Sequence, residues 1–225
     1  MEIGKVYHIT TKSIAGYVIF NNGGEYLRMK QLIQYYQVEN PSTRFSYFVA
    51  WQKDKNELVN KKDHQSKEKL VQIIAYCLMP THIHLVLQQL RESGISIYMN
   101  RVLNSYTRYF NTKHRREGPL WTGRFKRVLV ETDEQLIHLT RYIHLNPVTA
   151  YLVDRPELWQ FSSYLEYLME RPMKDKICEF KHILEINPSE YKKFVDDRIS
   201  YQRKLGEIKN LLLEELRVNL LSPTR

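Results

Sequence analysis

The stretch Tyr76-Cys77-Leu78-Met79-Pro80-Thr81-His82-Ile83-His84-Leu85-Val86-Leu87 is an apolar run that turns at Met-Pro-Thr and resumes with two histidines. Only Pro80 and Thr81 separate the two runs, so Val71 to Met79 and His82 to Gln88 read as neighbouring antiparallel strands of a hairpin. Successive strand side chains point to opposite faces, which sends His82 and His84 to one face and Ile83 and Leu85 into the core. Two imidazoles side by side on a rigid strand make half of a divalent-metal site. The same spacing also suits two ordinary polar residues on the outer face of a sheet, and the pair alone does not separate the two readings.

Upstream of the hairpin, residues 3 to 10 alternate as a first strand and Val18-Ile19-Phe20 is a short apolar run. Asn21-Asn22-Gly23-Gly24 breaks the chain. From Glu25 to Gln37, Tyr26, Met29, Leu32, Ile33 and Tyr36 recur at helical spacing, and Asn40-Pro41-Ser42 ends that helix. Residues 44 to 52 are aromatic and β-branched enough for a strand, with a helix as the alternative. Lys53 to Lys67 is polar throughout and reads as a surface loop.

Downstream, a helix is expected from Ser96 to Thr112, a loop punctuated by Gly118, Pro119 and Gly123, and a strand from Phe125 to Val130. Thr132-Asp133-Glu134-Gln135 is a capping box, which starts a helix that runs to Asn146, where Pro147 stops or kinks it. Composition changes beyond Ser163. Asn187-Pro188-Ser189-Glu190 opens a helix, and Ile208, Leu211, Leu212, Leu216 and Leu220 mark a last amphipathic one. The expected division is a domain over residues 1–165 and a helical extension over 166–225.

The chain has 225 residues, of which 43% are hydrophobic, with no apolar window long enough to span a membrane and no signal-peptide pattern after Met1. A cytoplasmic protein with no membrane partner is the expectation. Two distant cysteines, Cys77 and Cys178, form neither a zinc knuckle nor a disulfide framework. The net charge is +9. Eight basic residues face two acidic ones between Arg101 and Glu131, interleaved with Tyr106, Tyr109, Phe110, Trp121 and Phe125. That mixture suits a strand of nucleic acid whose phosphates are neutralised and whose bases stack. For Phe110 and Phe125 the core is the favoured place.

On the capped helix Tyr142 and Asn146 are four apart and share a face, with His138 a turn earlier. Tyr142 is a candidate nucleophile and Asn146 a candidate oxygen ligand. With His82 and His84, Asn146 would make a mixed site suited to Mg²⁺ or Mn²⁺. Singly, each residue has a plainer explanation: Tyr142 as core, Asn146 at a helix end, His138 and His144 as satisfied surface groups. No P-loop and no internal repeat is present.

Several blocks together resemble a known family: His8-Ile9-Thr10, the 76–85 stretch, Ser-Tyr-Thr-Arg-Tyr-Phe-Asn at 105–111, Gly-Pro-Leu-Trp-Thr-Gly-Arg-Phe-Lys at 118–126, Tyr-Ile-His-Leu-Asn-Pro-Val at 142–148 and Trp-Gln-Phe-Ser-Ser-Tyr at 159–164. In this order they resemble the single-tyrosine HUH transposases, in particular the REP-associated tyrosine transposases, over residues 1 to about 165. The resemblance implies an α+β, ferredoxin-like (RRM-like) antiparallel sheet with helices on one face. By position it makes His82, His84 and Asn146 the metal ligands and Tyr142 the nucleophile. The family usually has Asn between the proline and the first histidine, where this chain has Thr81.

The resemblance further implies cleavage and strand transfer on single-stranded or hairpin DNA through a 5′-phosphotyrosine, in a bacterial cytoplasm and at the nucleoid when bound to DNA. A homodimer is compatible with it. Arg101, Arg108, Arg115, Arg116, Arg124 and Lys126 are the candidate backbone contacts, and Trp121 the candidate for stacking on a base. Tyr106 and Tyr109 are alternative nucleophiles, but the residues four further on are Phe110 and Lys113. A domesticated, non-catalytic DNA-binding protein and a water-activating metallohydrolase are the other function classes; no carboxylate near the motif has an evident base role for the latter.

Overall fold

The computed structural model describes residues 1–53, 68–168 and 176–207. Most of the polar stretch that ends at Lys67 and the last amphipathic helix lie outside the described residues. Four strands form one antiparallel sheet: β1 (Val6–Lys12), β2 (Val71–Met79), β3 (His82–Gln89) and β4 (Lys126–Val130), in the order β2-β3-β1-β4. The β2–β3 pairing is the expected hairpin, with Met79 opposite His82 and Cys77 opposite His84.

Helices α1 (Gly23–Tyr35) and α2 (Phe45–Lys53) lie between β1 and β2, and α3 (Gly94–His114) lies between β3 and β4. β1 and β2 run parallel with β3 between them, as do β3 and β4 with β1 between them, so each connection is a split βαβ crossover. Both have the same hand and bring their helices to the same face. On that face Ile83, Leu85, Leu87 and Ile9 are buried. The arrangement is the expected α+β, ferredoxin-like fold. Its opposite face carries the histidines and is met by α4 (Asp133–Thr149), which packs on β2 and β4.

Local chemistry explains most boundaries. Asn22 accepts a hydrogen bond from the Glu25 amide and starts α1. Thr132 accepts from the Gln135 amide, while Gln135 Oε1 reaches back to the amide of Glu131, so the expected box forms one residue offset on its return arm. Pro147 does not stop α4, which continues to Thr149. It sits in the last turn, where few backbone bonds remain to be lost.

Two readings from sequence are corrected. Residues 45–53 are helical, not extended. Phe45 and Phe48 pack on Tyr35 of α1, and an apolar run of this length fits a helix side as well as a strand. His144 is no surface group; it is fully buried, between Ser163 Oγ and the Tyr191 hydroxyl, each 2.8 Å away. Tyr191 belongs to α5 (Pro188–Asp196) and also donates to Thr140 of α4, so the segment beyond residue 165 is stitched to the helix that carries Tyr142.

Candidate active site

Register builds the site from the sheet upward. Cα partners across an antiparallel ladder point their side chains to the same face. His82 lies opposite Lys12, and Thr10 of β1 lies between His84 and Lys126. His82, His84, Thr10, Lys12 and Lys126 therefore share one face, with His8 one pleat further along β1. The His82 and His84 ring centroids are 5.1 Å apart. His82 Nδ1 is 3.0 Å from Thr81 Oγ1, so the threonine at the turn supplies a contact to the first histidine.

His84 is buried, and its Nδ1 lies 3.1 Å from His8 Nε2, with the two rings stacked at 15°. Burial first, then electrostatic coupling to His82, His8 and Lys12, pushes the His84 pKa down to about 3, which keeps its imidazole neutral at neutral pH. Burial lowers the His8 pKa as well. Neutral imidazole is the form that ligates a metal ion.

α4 brings Tyr142 to this face. Tyr142 is 44% exposed and stands edge-on to His84, with ring centroids 6.0 Å apart at 88°. Partial burial raises the pKa of its hydroxyl. One turn on, the Asn146 side-chain amide nitrogen is buried with no hydrogen-bond partner. The side-chain oxygen of Asn146, rather than this N–H donor, is the atom able to ligate a cation, and two imidazole nitrogens plus an amide oxygen are a donor set that suits a divalent ion with room for phosphate oxygens. Among the described residues no group of three or more His, Cys, Asp and Glu side chains is placed to hold a metal ion. Any third ligand from the described residues is therefore of another type, such as the amide of Asn146.

The candidate DNA contacts divide. Arg108, Arg115, Arg124 and Lys126 are exposed. Arg101 donates to the Glu39 carbonyl, and Arg116 to Asn111, Gly118 and Pro119. Trp121 is half-buried against Tyr106, and its indole N–H reaches Thr107 Oγ1 at 3.0 Å, pinning the 118–124 loop to α3. Phe110 is core and Phe125 packs against it from the edge. Tyr106 is buried and bonded to the Ile19 carbonyl, which removes it as a nucleophile. Sequence reasoning missed His8 and Lys12 as site residues. The available signal was their even spacing with Thr10 along β1, which puts all three on one face.

A family model described as "Transposase IS200 like" matches residues 29–146, more than half of the chain. The chain belongs to the IS200-like transposase family. The match runs from α1 to Asn146 and so includes the hairpin, both histidines and Tyr142. A Haemophilus influenzae protein that carries the name REP-associated tyrosine transposase is 31% identical over 101 residues, which is 40% of this chain and 57% of that protein. The chain thus spans a little over half the length of that relative. The solved structure of a REP-associated tyrosine transposase bound to a REP hairpin is 15% identical with a TM-score of 0.50, covering 76% of this chain and 84% of that one; the likeness is one of fold.

Proposed function

We propose that this IS200-like family member cleaves and rejoins single-stranded DNA through Tyr142, with the strand presented beside a hairpin. The observation that carries the reading is the edge-on approach of Tyr142 to His84, two residues 58 positions apart in sequence. The neighbouring solved protein is bound to a REP hairpin, which supports hairpin DNA as the partner class.

His82, His84 and Asn146 would hold a divalent ion, Mg²⁺ or Mn²⁺. When bound, the ion supplies Lewis-acid polarisation of a phosphate oxygen and fixes its orientation. The protein's residues do the rest. The Tyr142 oxygen attacks the scissile phosphorus, forming the Tyr–O–P bond as the P–O3′ bond breaks. The product is a 5′-phosphotyrosine and a free 3′-hydroxyl. Because its pKa is raised, Tyr142 enters as the phenol; its proton leaves as the bond forms, to water at the exposed edge of the ring, and the departing 3′-oxygen takes one up. A 3′-hydroxyl attacking the phosphotyrosine reverses these steps, so one phosphodiester replaces another without ATP.

His8 acts as a positioning residue. If His84 donates its Nδ1–H to His8 Nε2, the lone pair of His84 is left on Nε2 for the metal; the opposite tautomer would place a proton there. Lys12 and Lys126, on the same face, are suited to neutralise the phosphates flanking the scissile one.

The test mixes the protein with a labelled hairpin oligonucleotide bearing a single-stranded extension and Mn²⁺, then looks for an adduct that survives denaturing electrophoresis. Wild type is expected to form it and Tyr142→Phe to form none. An adduct of undiminished yield with Tyr142→Phe removes Tyr142 from the role. If wild type forms no adduct on any family-type hairpin yet binds it tightly, the chain is a non-catalytic DNA-binding protein.

A further inference from the structure

On the helical face, away from the histidines, α1, α2 and α3 border an open cleft of about 480 Å³. Its walls include Arg28, Tyr36, Phe45, Arg108, Tyr109 and Lys113. The Arg28 guanidinium is held between two rings, 4.3 Å from the Phe45 centroid and 4.9 Å from that of Tyr109. Its Nε is buried and has no hydrogen-bond partner. Lys113 is engaged by Glu25 at 2.8 Å, whereas among the described residues no ion pair joins Arg28 or Arg108 to a carboxylate and no acidic side chain lines the cleft.

Arg28 is partly buried, with its Nε shielded from water and no counter-anion among the described residues, which is costly, and aromatic faces offset only part of that cost. An incoming anion would supply what is missing. The volume lies in the range of small-ligand sites, and cations beside aromatic walls form the surface on which unpaired nucleotides bind, phosphate to arginine and base against ring.

We infer that this cleft is a second DNA site, taking one unpaired nucleotide of a single strand, with its phosphate on Arg28 and Arg108 and its base against Tyr109. The inference rests on the reading of the chain as a DNA-processing protein, but it concerns the opposite face of the sheet. A strand anchored there would be held independently of the reacting phosphate, so the protein would keep hold of DNA while its Tyr142 face is empty or covalently occupied.

The experiment uses the full chain and a fluorescein-labelled oligothymidylate, with anisotropy read over a series of salt concentrations. Arg28→Ala and Arg108→Glu are each expected to weaken binding about tenfold. Each is also expected to lower the slope of log affinity against log salt by about 0.7, the loss of one single-strand phosphate contact. Lys204→Glu, the same charge change at an exposed position elsewhere, is expected to do neither. Bromodeoxyuridine in the oligonucleotide is expected to cross-link to the peptide holding Tyr109. Arg28→Ala could loosen the packing of α1 on α2; Arg108 is exposed, so Arg108→Glu with an unchanged melting temperature decides in that case.

Wild-type affinity in Arg108→Glu, an equal loss in Lys204→Glu, or a cross-link confined to the β1–β4 face would each overturn the cleft. So would failure of wild type to bind the oligothymidylate. None of these touches the Tyr142 adduct, whose own assay on a hairpin reports separately.

Discussion

His8 Nε2 and His84 Nδ1 lie 3.1 Å apart across the β1–β3 ladder, their rings stacked. The pair joins residues seventy-six positions apart, and fixes the ring that Tyr142 approaches. A partner of this kind typically changes metal affinity by about 10- to 100-fold when removed. His8→Ala is therefore expected to weaken Mn²⁺ binding by about tenfold or more, followed by the electron paramagnetic resonance signal of free Mn²⁺. His8→Gln, whose side-chain oxygen can accept from His84 Nδ1, should recover part of the loss. Equal affinities in wild type and His8→Ala would remove the positioning role.

Chelation separates binding from chemistry. With EDTA in excess, adduct formation is expected to vanish while hairpin affinity changes little, because the backbone contacts are proposed to come from the exposed cations of the 101–131 segment and not from the metal. Asn146→Ala should need more Mn²⁺ than wild type to restore the adduct. A full adduct yield in EDTA would show that the two histidines and Asn146 serve another purpose.

The buried polar contacts behind α4 set its stability. His144→Ala leaves a cavity and strips partners from Ser163 and Tyr191, and is expected to cost about 2–4 kcal/mol in urea unfolding. Tyr191→Phe removes hydrogen bonds alone and should cost about 1 kcal/mol. The double mutant should cost less than the sum, since the two side chains touch. Strict additivity would mean that the segment beyond residue 165 does not brace α4.

Glu25 predicts an acid-sensitive region. Its carboxylate is fully buried, which by itself would raise the pKa, but hydrogen bonds from Lys113, the Asn21 amide, His114 and the Asn21 side chain lower it from 4.5 to about 2. A group depressed on folding stabilises the native state fully above its unfolded pKa and loses that contribution as pH falls. Glu25→Gln should destabilise by about 3 kcal/mol at pH 7, the cost of breaking a buried ionic cluster. Its deficit relative to wild type should shrink as pH falls from 4.5 toward 2. A deficit unchanged across that window in urea titrations would contradict the assignment.

Gly94 opens α3 where the chain passes close to β2. A Cβ there would lie 2.3 Å from the Leu70 carbonyl oxygen, a backbone atom that cannot swing aside. Gly94→Ala is expected to lower stability by about 1–3 kcal/mol, the range for overpacking, against the usual gain for Gly→Ala in a helix. A melting temperature equal to or above wild type would show that the β2–α3 junction relaxes.

The sequence by itself determined the hairpin, the shared face of His82 and His84, the capped helix and the pairing of Tyr142 with Asn146. Each rests on a local period, two residues per strand repeat or nearly four per helical turn, or on a cap within three residues. Local rules stopped short elsewhere. An aromatic run such as 45–53 satisfies either period until its neighbours on α1 decide. Whether His144 is wet or buried depends on Ser163 and Tyr191, and whether Trp121 faces solvent depends on Thr107. Only the tertiary structure brought His8 to His84, set the edge of Tyr142 against that ring and formed the open arginine cleft between three helices. Those contacts join segments tens of residues apart, and their positions follow from strand register and helix packing, which no single segment encodes.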